Sequence, residues 1–237
     1  MIDLGERSRA AELMDAEDPD LATFAACLQD LERINRWTGA YRITLGWLDR
    51  LQEVHGARRL VVLDVGSGHG DMLRRIGAWG EARGLSLDLI GVDRNPHAAT
   101  VAAQATAPGP PIRYLSADVF DLLPSLRPDV VISALFAHHL DDAQLVRFLR
   151  WMEVRARLGW LINDLHRHAL AYWIARWTPA LLRMNRLVRH DAAVSVARAF
   201  ARRDWEHLLD QAGLAAPPTA VSWCFPFRYA VGRIKPP

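Results

Sequence analysis

Lysine is all but missing from this chain of 237 residues. Lys235 stands alone, and arginine supplies the rest of the 29 basic side chains against 27 acidic ones. The net charge is only +2, and no basic run is dense enough to argue for a nucleic-acid partner. Arg58-Arg59, Arg74-Arg75 and Arg202-Arg203 are scattered pairs that read as solvated helix faces. Cysteine is nearly as scarce. Cys27 and Cys224 lie far apart and match no metal spacing, so each reads as an idle or buried thiol. No stretch nears the roughly 20 apolar residues that span a bilayer. The opening run, Met1-Ile2-Asp3-Leu4-Gly5-Glu6-Arg7, has no apolar signal core. These absences predict a cytoplasmic protein without membrane insertion. Internal repeats and low-complexity segments are lacking too.

The composition that remains is ordinary, 51% hydrophobic and 24% charged, in a length that suits one large α/β domain or one core with an appended cap. Leu21, Phe24, Ala25, Leu28, Leu31 and Ile34 recur at helical spacing. They predict helices over 21–34 and 38–54, with a break at Asn35-Arg36-Trp37-Thr38-Gly39. From residue 60 the pattern alternates. Strands are predicted at 60–65, 87–93, 112–119, 129–135 and 158–165, and helices near 71–83, 95–106 and 141–156. Asp141-Asp142 suits the start of the last helix. Strands separated by helices predict a parallel, doubly wound α/β sheet.

After Asp164 the alternation stops. Residues 166–200 mix Tyr172, Trp173, Trp177, Met184 and Leu187 with many arginines and histidines, and read as a helical cap inserted after strand five. A helix at 203–212, stopped by Gly213, and strands at 219–225 and 228–234 complete the pattern. The division predicted is an N-terminal helical lid over 1–58 and a core over 59–237 that carries the cap at about 166–200.

The most informative stretch is Val61-Val62-Leu63-Asp64-Val65-Gly66-Ser67-Gly68-His69-Gly70. An apolar strand ends in an acid, and glycines follow at alternate positions before a helix. That is how an open α/β sheet makes a nucleotide pocket at the carboxyl ends of its strands. The spacing is G-x-G-x-G, not the G-x-G-x-x-G of dinucleotide binders. Three further pieces follow in register with the strands: Leu89-Ile90-Gly91-Val92-Asp93-Arg94-Asn95-Pro96, Ser116-Ala117-Asp118-Val119, and Asp129-Val130-Val131-Ile132-Ser133-Ala134-Leu135.

With Asp64 before its glycines, this set resembles the class I S-adenosylmethionine (SAM) methyltransferases. The likeness is to the ubiquinone/menaquinone and polyketide O-methyltransferase groups, and it covers about 60–234. It implies a mostly parallel seven-stranded, Rossmann-like sheet closed by an antiparallel hairpin, with SAM as cofactor. The implied cofactor residues are Asp64, Gly66, Ser67, Gly68 and Gly70 of the loop, Asp93 and Arg94 at the ribose, Asp118 and Val119 at the adenine, and Ser133 beneath the methionine half. Arg36, or Arg42, is a candidate partner for the cofactor carboxylate.

Methyl transfer is an in-line displacement, and a hydroxyl acceptor needs a base. Histidines cluster where an acceptor should sit: Phe136-Ala137-His138-His139-Leu140 after strand four and Asp164-Leu165-His166-Arg167-His168 after strand five. The catalytic candidates are His139, His166 and His138, with Asp164 able to orient His166. His168, Trp173, Trp177, Asn185 and Arg186 are candidates for binding substrate, with His190 a further polar contact. His69 in the glycine loop has no partner at metal spacing, so no metal is predicted. Asn/Asp-Pro-Pro-Tyr, the mark of relatives that methylate base amines and glutamine amides, is absent after strand four.

The expectation is therefore a SAM-dependent methyltransferase of a small aromatic acceptor (phenolic, polyketide or quinone-like), by O-methylation with a histidine base. C-methylation of an electron-rich ring and a SAM-binding regulator without transfer activity remain open. So does the choice of monomer or homodimer.

Overall fold

Residues 3–16, 19–107, 112–122 and 126–237 are described by a computed structural model. Strand β1 (Arg59–Val65) sets the plan, because its side chains alternate between two cores. Leu60 and Val62 join one core, and Leu63 and Val65 the other. Asp64 falls on the first face, at the carboxyl end of the strand.

The elements before β1 are a short α1 (Leu13–Ala16), α2 (Leu21–Trp37) and α3 (Ala40–His55). After it come α4 (Asp71–Glu81), β2 (Ser86–Asp93), α5 (Pro96–Ala105), β3 (Ile112–Ser116), β4 (Val130–Ala134), α6 (Asp142–Arg155) and β5 (Gly159–Leu165). Helices α7 (Ala169–Leu181) and α8 (Arg186–Arg198) form the cap, and α9 (Arg202–Ala212), β6 (Thr219–Cys224) and β7 (Arg228–Ile234) end the chain. The seven strands lie in the order β3-β2-β1-β4-β5-β7-β6, with β7 antiparallel to both neighbours. The order reverses between β1 and β4, which opens a crevice at their carboxyl ends.

Each core seals one face of the sheet. Tyr41, Trp47, Leu48 and Leu51 of α3 and Met72, Leu73, Ile76 and Trp79 of α4 cover the first. Leu145, Phe148, Leu149 and Met152 of α6 and Trp205, Leu208 and Leu209 of α9 cover the second. A fully buried side chain of this size stabilises by roughly 1.5–3 kcal/mol.

Most boundaries shift by a residue or two, and two of the shifts have a clear local cause. Helix α2 runs on through the predicted break to Trp37 and turns at Thr38 and Gly39, the latter at φ +66°. Strand β3 stops at Ser116, because Asp118 accepts the Phe120 amide at 2.9 Å and starts a 3₁₀ turn over Val119–Asp121.

The N-terminal segment lies as a strap across the cap. Ser8 donates its amide to Ala197 O at 2.9 Å, and Arg7 Nε donates to Arg198 O at 2.9 Å. The Asp191 carboxylate accepts the amides of Leu13 and Met14 at 2.8 and 2.9 Å, which fixes the start of α1.

Candidate functional site

The carboxyl ends of β1, β2 and β4 open into a cleft of about 1140 Å³, roofed by α2 and walled by α7, α8 and the strap. Pockets for one drug-sized ligand usually hold about 300–1,000 Å³, so this one has room for a cofactor and an acceptor. Gly66, Ser67 and Gly68 form its floor, and Asp93, Arg94, Asp118 and Val119 its far wall.

The glycine loop turns through left-handed backbone at Gly66, Gly68 and Gly70. A Cβ on Gly66 would stand 2.8 Å from the Phe136 ring, so the loop needs glycine for space as well as for φ. Gly68 N donates to Asp93 Oδ2 at 3.0 Å, and Asn95 N donates to Asp93 Oδ1 at 2.9 Å. Burial pushes the Asp93 carboxyl above its usual range, and these two amides pull the other way. Asp64 is fully enclosed beneath the loop, and its Oδ1 has no hydrogen-bond partner. Burial pushes its carboxyl well up. Asp64 lies under the loop and outside the cleft lining, and the amides of Gly66, Ser67 and Gly68 are taken by Val92 O and Asp93. The cleft-lining carboxylate of Asp93 fits the ribose diol that SAM carries.

Several expected cofactor residues serve the scaffold. Ser133 Oγ donates to Val65 O at 2.9 Å inside the sheet. Gly70 begins α4 with φ +71°, packed against Tyr114. Arg36 and Arg42 are exposed and do not line the cleft. The buried arginine that does is Arg228, at the start of β7. Its Nη2 donates to Asn35 Oδ1 at 3.1 Å, its Nη1 is unpartnered, and burial pulls its pKa down to about 10. Arg228 carried no motif to mark it.

Helix α2 is tied onto the loop. Glu32 Oε2 lies 2.5 Å from His69 Nδ1 and accepts Arg74 Nη2 at 2.8 Å. Tyr41 Oη donates to Asp71 Oδ2 at 2.5 Å. His69 thus anchors the roof to the floor.

The histidine pair after β4 lines the cleft beside this loop. His138 is 3% exposed; its Nδ1 lies 2.7 Å from Asp164 Oδ1, and its amide donates to Asp164 Oδ2 at 3.1 Å. The His139 Nδ1 lies 2.8 Å from Asp15 Oδ2. A carboxylate accepts, so each ring donates through Nδ1–H and turns Nε2 inward. Glu12 sits between the two Nε2 atoms, 3.6 Å from that of His138 and 3.8 Å from that of His139. Burial works to lower the His139 pKa, but Asp15 and Glu12 outweigh it and the net direction is up. Burial opposes ionisation of Asp164, yet His138 holds its carboxyl below the usual range.

Asp164 therefore orients a histidine, but His138 and not His166. Asp164 lies within β5 beside the turn that follows β4, whereas β5 ends at Leu165 and His166 falls beyond it. There the His166 Nδ1 accepts Trp223 Nε1 at 3.2 Å, outside the cleft. His168 is an exposed helix cap that accepts the Leu170 amide at 3.2 Å. His190 Nδ1 lies 2.8 Å from Asp191 Oδ1. Trp173 and Trp177 face solvent at 51% and 62% exposure, because α7 turns Ala171, Ile174, Ala175, Thr178 and Pro179 toward the cleft. Asn185 caps α8 by accepting the Leu187 amide at 2.9 Å, and Arg186 stands exposed beside it outside the cleft lining. Cys27 and Cys224 are free thiols, and burial pushes that of Cys27 up to about 11.

The sequence reading passed over Glu12 and Asp15. The only local signal is their spacing of three, which puts both acids on one side of a helical turn.

Comparison with known proteins agrees with this geometry. Residues 62–157 match a family model described as a methyltransferase domain. No curated protein matches the chain in sequence. Among solved structures, the plantazolicin methyltransferase BpumL superposes with a TM-score of 0.66 at 12% identity, covering 92% of this chain and 96% of that one. Human N-acetylserotonin methyltransferase gives 0.66 at 15% identity, over 97% of this chain and 61% of that one. Magnesium protoporphyrin IX methyltransferase from Synechocystis PCC 6803 gives 0.56 at 14%, over 88% and 83%. Residues 62–157 thus carry a methyltransferase domain, and the chain as a whole has the fold of these methyltransferases, whose structures hold S-adenosylmethionine or S-adenosylhomocysteine.

Proposed function

We propose that this chain is an S-adenosylmethionine-dependent methyltransferase that acts on a hydroxyl of a flat, largely apolar small molecule. The observation that carries the reading is the make-up of the cleft beyond the glycine loop. Phe120, Phe136, Phe148, Ile174, Met184 and Phe227 line it, and the polar atoms of Glu12, His138 and His139 converge at its centre. An apolar pocket with few convergent polar groups orients a ring and leaves one reactive position facing them. The solved relatives are named for plantazolicin, magnesium protoporphyrin IX and N-acetylserotonin, which supports a ring-bearing acceptor.

SAM, when bound, supplies an electrophilic methyl group. Asp93 holds its ribose, the glycine loop above Asp64 its amino-acid end, and Arg228 is placed for a carboxylate. The contacts of Glu32 with His69 and of Tyr41 with Asp71 hold the roof over the glycine loop. The acceptor hydroxyl loses its proton at the His138 and His139 pair.

The test is calorimetric titration with S-adenosylhomocysteine, then transfer of labelled methyl to a panel of phenols and quinols. Micromolar binding, lost in Asp93→Ala, with at least one phenol labelled, is the result expected. His139→Gln should keep the binding and lose transfer 100-fold or more, in the range of general-base deletions (about 10²–10⁴). Binding without transfer to any phenol would overturn the acceptor class and favour a regulator.

A further inference from the structure

Glu12, His138 and His139 come together from segments more than 120 residues apart, and their ligand atoms lie within 4.8 Å of one another. We propose that the three bind a divalent transition-metal cation at the acceptor end of the cleft. The proposal rests on the reading above and deepens it: the acceptor oxygen would take an open position on the cation.

Distance is the first argument. The two imidazole Nε2 atoms stand 3.6 and 3.8 Å from the Glu12 oxygens. That is too long for the charge-assisted hydrogen bonds these groups would make with each other, about 2.7–2.9 Å. Donors about 2.1 Å from a shared ion lie roughly 3–3.4 Å apart at octahedral or tetrahedral angles. The ligand atoms lie within 4.8 Å of one another, so a closure of no more than about 1.5 Å would turn this cluster into a ligand set.

The second argument is the outer shell. Both histidines present Nδ1 to a carboxylate, at 2.7 Å from Asp164 and 2.8 Å from Asp15. This is the carboxylate–histidine–metal arrangement that fixes the ring and points Nε2 at the ion. Two histidines and one carboxylate with open positions is a donor set for iron(II), zinc and their neighbours.

Third, Glu12 is 3% exposed and its Oε1 has no hydrogen-bond partner. A buried carboxylate oxygen left so is costly without a cation. Arg198 does not supply one. Its Nε is 3.9 Å from Glu12 Oε1, and its donors go to the carbonyls of His138, His139 and Ala10 at 2.9–3.1 Å. With both Nε2 atoms bound, the cation would take over from the histidine base as a Lewis acid. The acceptor O–H ionises, its proton leaves to water, and the oxygen keeps the electron pair.

Full-length protein stripped with a chelator would be titrated with Co²⁺, Zn²⁺ and Mn²⁺, following heat and the visible absorption of Co²⁺. Saturation at one cation per chain is expected. Glu12→Gln and His139→Gln should weaken it at least 100-fold, and Asp15→Asn about 10–100-fold, the usual cost of an outer-shell partner. All three variants should bind S-adenosylhomocysteine like wild type, which shows that they fold. No saturable uptake by wild type, or wild-type affinity in Glu12→Gln and His139→Gln, would overturn the proposal. The two readings fail separately. Cofactor binding without cation uptake removes the metal and leaves a histidine base; cation uptake without cofactor binding removes the methyltransferase reading and leaves the site.

Discussion

Asp64 shows how a single buried acid sets a pH-dependent cost on stability. Its carboxyl is enclosed, unpartnered at Oδ1 and pushed well above 3.8 by burial. The unfolded chain ionises freely near pH 4, whereas the folded one resists. Stability from this group is therefore full below that pH and lost as pH rises through the folded pKa. Asp64→Asn should raise Tm, by a margin that widens as pH climbs above about 4 and levels off once the folded carboxyl has ionised, while weakening S-adenosylhomocysteine. Thermal melts across pH, with and without ligand, check both signs. Asp164→Ala should do the reverse. It leaves the buried His138 ring unpaired, at a cost on the order of 3–5 kcal/mol, readable as a lower urea midpoint. Local chemistry made Asp64 and Asp93 legible in the sequence, since each closes a strand before a turn. The partner of Asp164 was not legible, because only the packing of β4 beside β5 brings His138 to it.

At the scale of elements, periodicity carried the strands and helices of the core to within a few residues, as β1 and α6 show. Apolar spacing reports burial, and burial is what makes these elements. The cap is a harder case. Trp173 and Trp177 belong to a helix, but spacing alone does not say which stripe of α7 meets the cleft, and the exposed stripe holds the large aromatics. The strap escaped altogether, since a four-residue α1 has no period to detect. Its hold depends on Asp191, so Asp191→Ala should expose Leu13 and Met14 amides to fast hydrogen exchange while β1 stays protected. In the core, Phe148→Ala should cost roughly 3–5 kcal/mol, measured by chemical unfolding.

Across the whole molecule, the reversal of strand order at β1 and β4 places the cleft, and everything that lines it is hung from that crevice. A ligand that binds only the folded form adds RT ln(1 + [L]/Kd) to stability. S-adenosylhomocysteine at 100 times its Kd should add about 2.7 kcal/mol, which for a chain of this length raises Tm by roughly 5–10 °C. Asp93→Ala should show no such rise.

The strap adds a consequence for the order in which the protein comes into being. The glycine loop, Asp93, Asp118 and the histidine pair all emerge from one continuous stretch. Arg7 and Leu13 must wait for partners at Asp142, Asp191 and Arg198, from 135 to 191 residues later. A growing chain therefore makes the nucleotide half of its cleft before it can shut the other half, and the strap is made well ahead of the partners it waits for.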